Sequence, residues 1–283
     1  MPKLNPAREP LPSMRDPGQS SGPAPRLHRA IGLAAGLTGL WLLLLFLFHL
    51  IPSIDLDVQR LFFRALPCPQ HSPGGASAVC GAFPLAEAKT LQLIRIVLLH
   101  LPTLIGIGLL LVVIVCLTGR LKTTAVFRQR AALLIATLCL GPGLIVNTLL
   151  KDHSGRPRPA DIDLFGGALA FRPAGSFDGA CHANCSFLSG EAAGIAWLVL
   201  AVLILPRPLR RIVLPMTLLI ACGGLALRVA FGRHFLSDVA LGALSTPLVG
   251  AWLMVVGLLV APPIRQAVTA LFAAEDASPK SHQ

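Results

Sequence analysis

Six long apolar runs, separated by polar connections, dominate the pattern along this chain of 283 residues. They extend approximately from Ala30 to Ile51, Ile96 to Thr118, Ala131 to Leu150, Phe187 to Leu205, Ile212 to Phe231 and Val239 to Val260. A helix rises about 1.5 Å per residue, so each run is close to the length that crosses a hydrocarbon core roughly 30 Å thick. The pattern predicts an all-α, polytopic membrane protein with six transmembrane helices. Arg95 and His100 interrupt the start of the second run, where a long side chain such as Arg95 can snorkel to the interface. Ile54 to Leu66 mixes acidic, basic and apolar residues in roughly helical alternation. It reads equally as a helix along the membrane surface or as an ordinary loop.

Residues 1–29 are rich in Pro, Ser, Arg and Gly without apolar periodicity, and are expected to form a disordered tail. Residues 30–262 would form the membrane domain and 263–283 a second short tail. The first run lies too far along the chain for a cleavable signal, and no small-x-small site follows it. An uncleaved signal anchor is expected.

Composition agrees, with 54% hydrophobic and 13% charged residues, well outside the usual range of soluble domains. The 24 Lys and Arg against 13 Asp and Glu could serve nucleic acid, anionic headgroups or topology. Their positions decide. Lys3, Arg8, Arg15, Arg26 and Arg29 precede the first run, Arg120, Lys122, Arg128 and Arg130 follow the second, and Arg207, Arg210 and Arg211 follow the fourth. Such alternation places both termini in the cytoplasm and the loops Pro52 to Lys89 and Lys151 to Ser186 outside. No clustered basic face with groove-reading elements is present, so nucleic acid is not an expected partner. Cys68 and Cys80 share one outer loop and Cys181 and Cys185 the other, which makes each pair a disulfide candidate in an oxidising compartment. A metal site on Cys181, His182 and Cys185 would lack a second ligand pair.

The remaining ionisable residues near run ends fall into three groups, all on the expected outer face. Lys151-Asp-His-Ser-Gly-Arg-Pro-Arg158-Pro159 follows the third run. A compact ammonium and a planar guanidinium fork suit a phosphoryl group. Ser189-Gly190-Glu191 opens the fourth run, where helix N-H groups favour anions and Gly permits close approach. Arg228-Val-Ala-Phe-Gly-Arg-His234-Phe-Leu-Ser-Asp238 joins the fifth and sixth. His234 and Asp238 are four apart, so on a helical turn the carboxylate could accept from one ring nitrogen and aim the other as a nucleophile. The first two groups alone would be an ordinary interfacial anchor and a capped helix start; the third, an Arg six residues before a His with an aligned Asp, is the most informative.

Together, in this order, the three groups resemble the type 2 phosphatidic acid phosphatase family over about Ala131 to Val260. Lys151 with Arg158-Pro159 fits K-x6-R-P, Ser189-Gly190 fits the core of P-S-G-H, and Arg228, His234 and Asp238 fit R-x5-H-x3-D. The resemblance implies a six-span helical fold in which Lys151, Arg158 and Arg228 hold phosphate, with backbone N-H groups near Ser189 and Gly190. It implies that His234 attacks phosphorus and Asp238 orients it, without metal or other cofactor. Arg156 and Arg233 lie close to motif positions, but spacing favours Arg158 and Arg228.

Three positions depart from the family pattern: Leu188 for Pro, Leu227 for Ser, and Glu191 for the motif-two histidine that protonates the leaving oxygen. Protonation must then pass to Glu191, to His153 or His182, or be needed less, as for a sugar 1-phosphate or a diphosphate. The Ser-Gly-Glu variant with His-Phe-Leu-Ser-Asp is also similar to bacterial lipid A phosphatases. It implies a lipid phosphate substrate at the periplasmic face of the inner membrane, with no obligate protein partner evident. Undecaprenyl diphosphate or phosphatidylglycerophosphate hydrolysis, phosphate transfer to another lipid, and binding without turnover are the competing readings.

Overall fold

The computed structural model describes residues 23–68 and 79–276, and its regular structure is almost entirely helical. The helices are α1 (Pro23–Leu50), α2 (Ser53–Arg60), α3 (Lys89–Leu117), α4 (Ala125–Leu138), α5 (Gly190–Val202), α6 (Arg207–Ala230) and α7 (Leu236–Asp276). Among the described residues, five stretches are long and apolar enough to cross a membrane: Pro25–Leu50, Lys89–Leu117, Ala125–Leu150, Arg207–Ala230 and Leu236–Val260. The polytopic helical fold expected from the sequence is therefore present. The sixth apolar helix, α5, has 13 residues, about 20 Å at 1.5 Å per residue. Its Ala192, Ala193, Ile195, Trp197 and Leu198 are buried by neighbouring helices, so bilayer thickness does not set its length.

Most large apolar side chains on the long helices point outward. Leu43, Phe46, Leu104, Leu117, Ile212 and Leu219 are each more than half exposed, a surface that only lipid would cover in a monomer. The interior is correspondingly small: Phe48, Val146, Ala174, Phe187, Leu188, Ala193 and Leu241 form one buried cluster joining α1, α5, α7 and the second outer loop. Ala30 and Ala34 pack on Ala251 and Val255, so the start of α1 lies beside the distal part of α7, away from Leu236.

Two boundaries differ from the apolar runs in a way that matters for chemistry. α3 begins at Lys89, which places Arg95 within the helix, nearly two turns below the outer loop. α4 continues through a π-helical segment, Cys139–Leu150, and ends in Lys151–His153. Pro142 has no N-H, and its ring would crowd the carbonyl of Leu138 in a regular α-turn; the wider spacing relieves both. The tail expected over residues 1–29 lies mostly outside the described residues, and Pro23 to Arg29 already belong to α1. The second tail, expected over 263–283, is helical as far as Asp276.

The outer loops fold over one end of the bundle. The segment that read as surface helix or loop is helix α2, and its Asp55 and Gln59 are completely buried. A two-residue antiparallel hairpin pairs Arg64–Ala65 with Gly81–Ala82. Both expected cysteine pairs are disulfides, Cys68–Cys80 and Cys181–Cys185, with Cα atoms 5.2 and 5.7 Å apart. Phe63, Phe83 and Phe165 stack with centroids 5.2 to 5.9 Å apart. Gly232, at φ +63, touches this cluster so closely that a Cβ would strike the Phe83 ring, so only glycine fits the turn before His234.

Candidate active site

The α6–α7 turn brings His234 into a buried position, 1% exposed, between α2 and the second outer loop. Its Nδ1 lies 2.8 Å from the carbonyl oxygen of Ser186, and its own carbonyl accepts from Gln59 Nε2 at 2.7 Å. A carbonyl can only accept, so Nδ1 carries the hydrogen and Nε2 keeps its lone pair. Burial, then the charges of Arg228 and Arg158, hold the imidazole well below its ordinary pKa of 6.5. The ring is neutral at physiological pH, the state a nucleophilic histidine requires.

The expected direct hydrogen bond from His234 to Asp238 is not made. Nδ1 and Asp238 Oδ2 are 4.0 Å apart, beyond hydrogen-bond range. Oδ2 instead accepts from Ser186 Oγ and from the N-H of Phe235, while Oδ1 accepts from Arg156. At the first turn of α7 the carboxylate of Asp238 faces these donors, and Ser186 lies between it and the imidazole. Asp238 thus holds the serine whose carbonyl holds the histidine.

Arg156, which stands near a motif position, is fully buried in the same network. It bridges Asp238 and Asp55, with Nη2 2.8 Å from Asp55 Oδ2, donates to Ser237 Oγ, and stacks on Phe235 at 4.3 Å. Asp55 also accepts from the N-H and hydroxyl of Ser237. The arrangement uses all of these groups on one another, so Arg156 has a scaffold role and leaves phosphate binding to other cations.

Those cations lie around His234. Arg158 is buried, and its Nε and Nη2 donate to the carbonyl of Asn184 at 3.0 and 2.8 Å. Burial and the neighbouring Arg233 lower its pKa. Arg228, also buried, has Nη1 3.1 Å from Glu191 Oε2, yet neither its Nε nor its Nη1 has a hydrogen-bond acceptor among the described residues. Buried guanidinium donors without acceptors fit an anionic ligand. Lys151 ends the π-helical segment close enough for its charge to act on His234.

Ser189 caps α5, accepting from the N-H of Ala192, while its own N-H goes to the carbonyl of Asp238 at 3.1 Å. The N-H of Ser189 itself is thus occupied, and the first-turn N-H groups next to it are those of Gly190 and Glu191. A Cβ at Gly190 would collide with the Asn147 side chain. Glu191 accepts from Arg95 twice, Nη2 at 2.6 Å and Nε at 3.1 Å, and faces Arg228 with the same carboxylate. A carboxyl group forked by one guanidinium and flanked by another has the pattern of an ion-pair anchor. His153, at the end of the helix that follows the π-helical segment, and His182, on the second outer loop, are both exposed.

Asp55, Gln59, Ser186 and the pairing of Arg95 escaped the sequence reading. Asp55 and Gln59 had one weak signal, the helical alternation after Pro52; Ser186 acts through its backbone carbonyl as well as its hydroxyl. No group of three or more His, Cys, Asp or Glu suited to a metal occurs among the described residues.

Residues 131–259 match the model of the PAP2 superfamily. The chain is 40% identical over 216 residues to a lipid A 4′-phosphatase of Rhizobium leguminosarum, covering 76% of this chain and 92% of that protein. It is 40% identical over 215 residues to a lipid A 4′-phosphatase of Rhizobium etli, covering 76% and 83%. The solved PAP2 type phosphatidylglycerolphosphate phosphatase from Bacillus subtilis aligns with 78% of this chain and 93% of its own, at 22% identity and a TM-score of 0.45. With its motifs, its helical core and relatives matched over most of their length, the chain belongs to the PAP2 superfamily.

Proposed function

We propose that this multi-pass bacterial membrane protein is a lipid phosphatase that removes phosphate from a lipid A-type glycolipid through a phosphohistidine on His234. The observation that carries the reading is the position of His234, whose Nδ1-H donates to the Ser186 carbonyl and leaves Nε2 its lone pair, while the charges of Arg228, Arg158 and Lys151 act on the ring. Nε2 attacks phosphorus as the bond from phosphorus to the sugar oxygen breaks, and the departing alkoxide takes a proton from water, which is returned to solvent when a second water hydrolyses the phosphohistidine. Water then attacks the phosphohistidine, releasing inorganic phosphate and restoring the neutral imidazole. Arg228, Arg158 and Lys151 stabilise the charge that develops on the phosphoryl oxygens. Asp238 orients His234 through Ser186, while Glu191 anchors Arg228 and Arg95.

The relatives named as 4′-phosphatases favour the lipid A class. A 4′ oxygen on a sugar ring is not anomeric and leaves as an ordinary alkoxide, so a good leaving group does not account for the missing motif-two histidine. The site end of the bundle faces the periplasm in this reading, and both termini face the cytoplasm. Alternating arginine-rich connections support that orientation.

Phosphate release by purified protein from lipid A, undecaprenyl diphosphate and phosphatidic acid, with and without His234→Ala, tests the proposal. Release from lipid A that requires His234 is expected. Release from neither lipid A nor its relatives, or full activity in His234→Ala, would overturn it.

A further inference from the structure

An open basic cavity, in which Arg130 and Arg207 are exposed and Arg210 is half-buried, lies at the end of the bundle opposite His234. It has a volume of about 450 Å³ and is lined by Arg130 of α4 and Arg207 and Arg210 of α6, with Phe127 and Pro206 beside them. None of these arginines has an ion-pair partner among the described residues. Arg207 and Arg210 stand in the first turn of α6, which has no acidic residue there and no side-chain cap. Cations at the positive end of a helix dipole are unfavourable, and an anion seated between them relieves the repulsion.

The charged cavity opens into an apolar groove of about 570 Å³, with Arg130, Ile204 and Arg210 lining both. Leu33 and Leu37 of α1, Leu133 of α4, Leu203 beyond α5, and Ala251 and Met254 of α7 wall the groove. Topology explains why arginines gather on this face. It does not explain why arginines from two helices converge on one cavity that continues into an apolar channel. A phosphodiester matches the guanidinium forks and an acyl chain matches the groove.

We infer that this cavity and groove form a binding site for an anionic glycerophospholipid, such as phosphatidylglycerol, from the leaflet on the side away from His234. A basic pocket between membrane helices is a known means of holding acidic headgroups. The site is separate from the hydrolytic centre, and its occupant is not a substrate.

Native mass spectrometry of the full chain in detergent, with dioleoylphosphatidylglycerol, dioleoylphosphatidylcholine or inorganic phosphate added, tests the inference. Phosphatidylglycerol adducts should exceed phosphatidylcholine adducts, survive excess phosphate, and persist in His234→Ala and Arg158→Gln. Arg130→Gln with Arg210→Gln should weaken them about thirtyfold. Arg130→Lys with Arg210→Lys, which keeps the charge and the topology, should still weaken them by removing the planar fork. Equal binding of the two lipids, displacement by phosphate, loss in Arg158→Gln, or wild-type binding in either paired variant overturns it.

Discussion

His234 and Asp238 stand one helical turn apart, yet the carboxylate reaches the imidazole through Ser186. The serine hydroxyl donates to Asp238 Oδ2, and its carbonyl accepts from His234 Nδ1 at 2.8 Å. Ser186→Ala keeps that carbonyl but removes the hydroxyl that fixes it. A hydrogen bond to a charged group is worth about 1.5–3 kcal/mol, so turnover should fall at least about tenfold while substrate binding changes little. Steady-state kinetics of the variant check this; wild-type turnover contradicts the indirect route.

The neutral state of His234 predicts a pH profile. Its pKa in the folded protein lies well below 6.5, so the acid limb of kcat/KM, corrected for the substrate's own ionisation, should also lie well below pH 6.5. Unfolding restores a pKa near 6.5, so the unfolded chain binds the proton first as the pH falls. His234 therefore lowers stability progressively from about pH 6.5 down to its folded pKa and has no such effect above. Arg228→Gln removes a cation that depresses this pKa and should move the acid limb to higher pH. An unmoved or lower limb in that variant contradicts the assignment.

Glu191→Gln separates an anchor from a general acid. A general acid matters most when the leaving group is a poor one, so its loss should spare an aryl phosphate such as p-nitrophenyl phosphate and cripple a sugar phosphate. As the anchor of Arg95 and Arg228, Glu191 should instead affect both substrates by a similar factor, chiefly through KM. Parallel kinetics on the two substrates decide. Selective loss on the sugar phosphate restores Glu191 as the proton donor.

Asp55 lies outside the matched family segment, on α2, and still belongs to the site. Its carboxylate neutralises the buried Arg156 together with Asp238. Asp55→Ala leaves a buried charge short of a partner, a change that costs about 3–5 kcal/mol. The melting temperature in detergent and the phosphatase activity should fall together. A variant with wild-type melting would show that α2 is dispensable to the network.

How much of this was legible in the sequence depends on the range of the signal. Long apolar runs report lipid contact residue by residue, so five spans could be read directly, and the sixth, α5, came out too long because its enclosure is a tertiary property. Lys151, Arg158 and Arg228 stood out because cations at span ends demand a reason. The Asp55–Ser237 contact spans 182 positions, and nothing local to either residue announces it. Spacing alone made His234 and Asp238 partners. It could not reveal that Ser186, from a loop 48 residues earlier, stands between them.

The central claim is that phosphate passes through His234, and trapping the intermediate tests it most directly. Brief incubation of the purified protein with ³²P-labelled lipid A, alkaline quenching and peptide mapping should place an acid-labile, base-stable label on the peptide containing His234, with none in His234→Ala. Label elsewhere, or release of phosphate by a His234→Ala protein at the wild-type rate, would contradict the account.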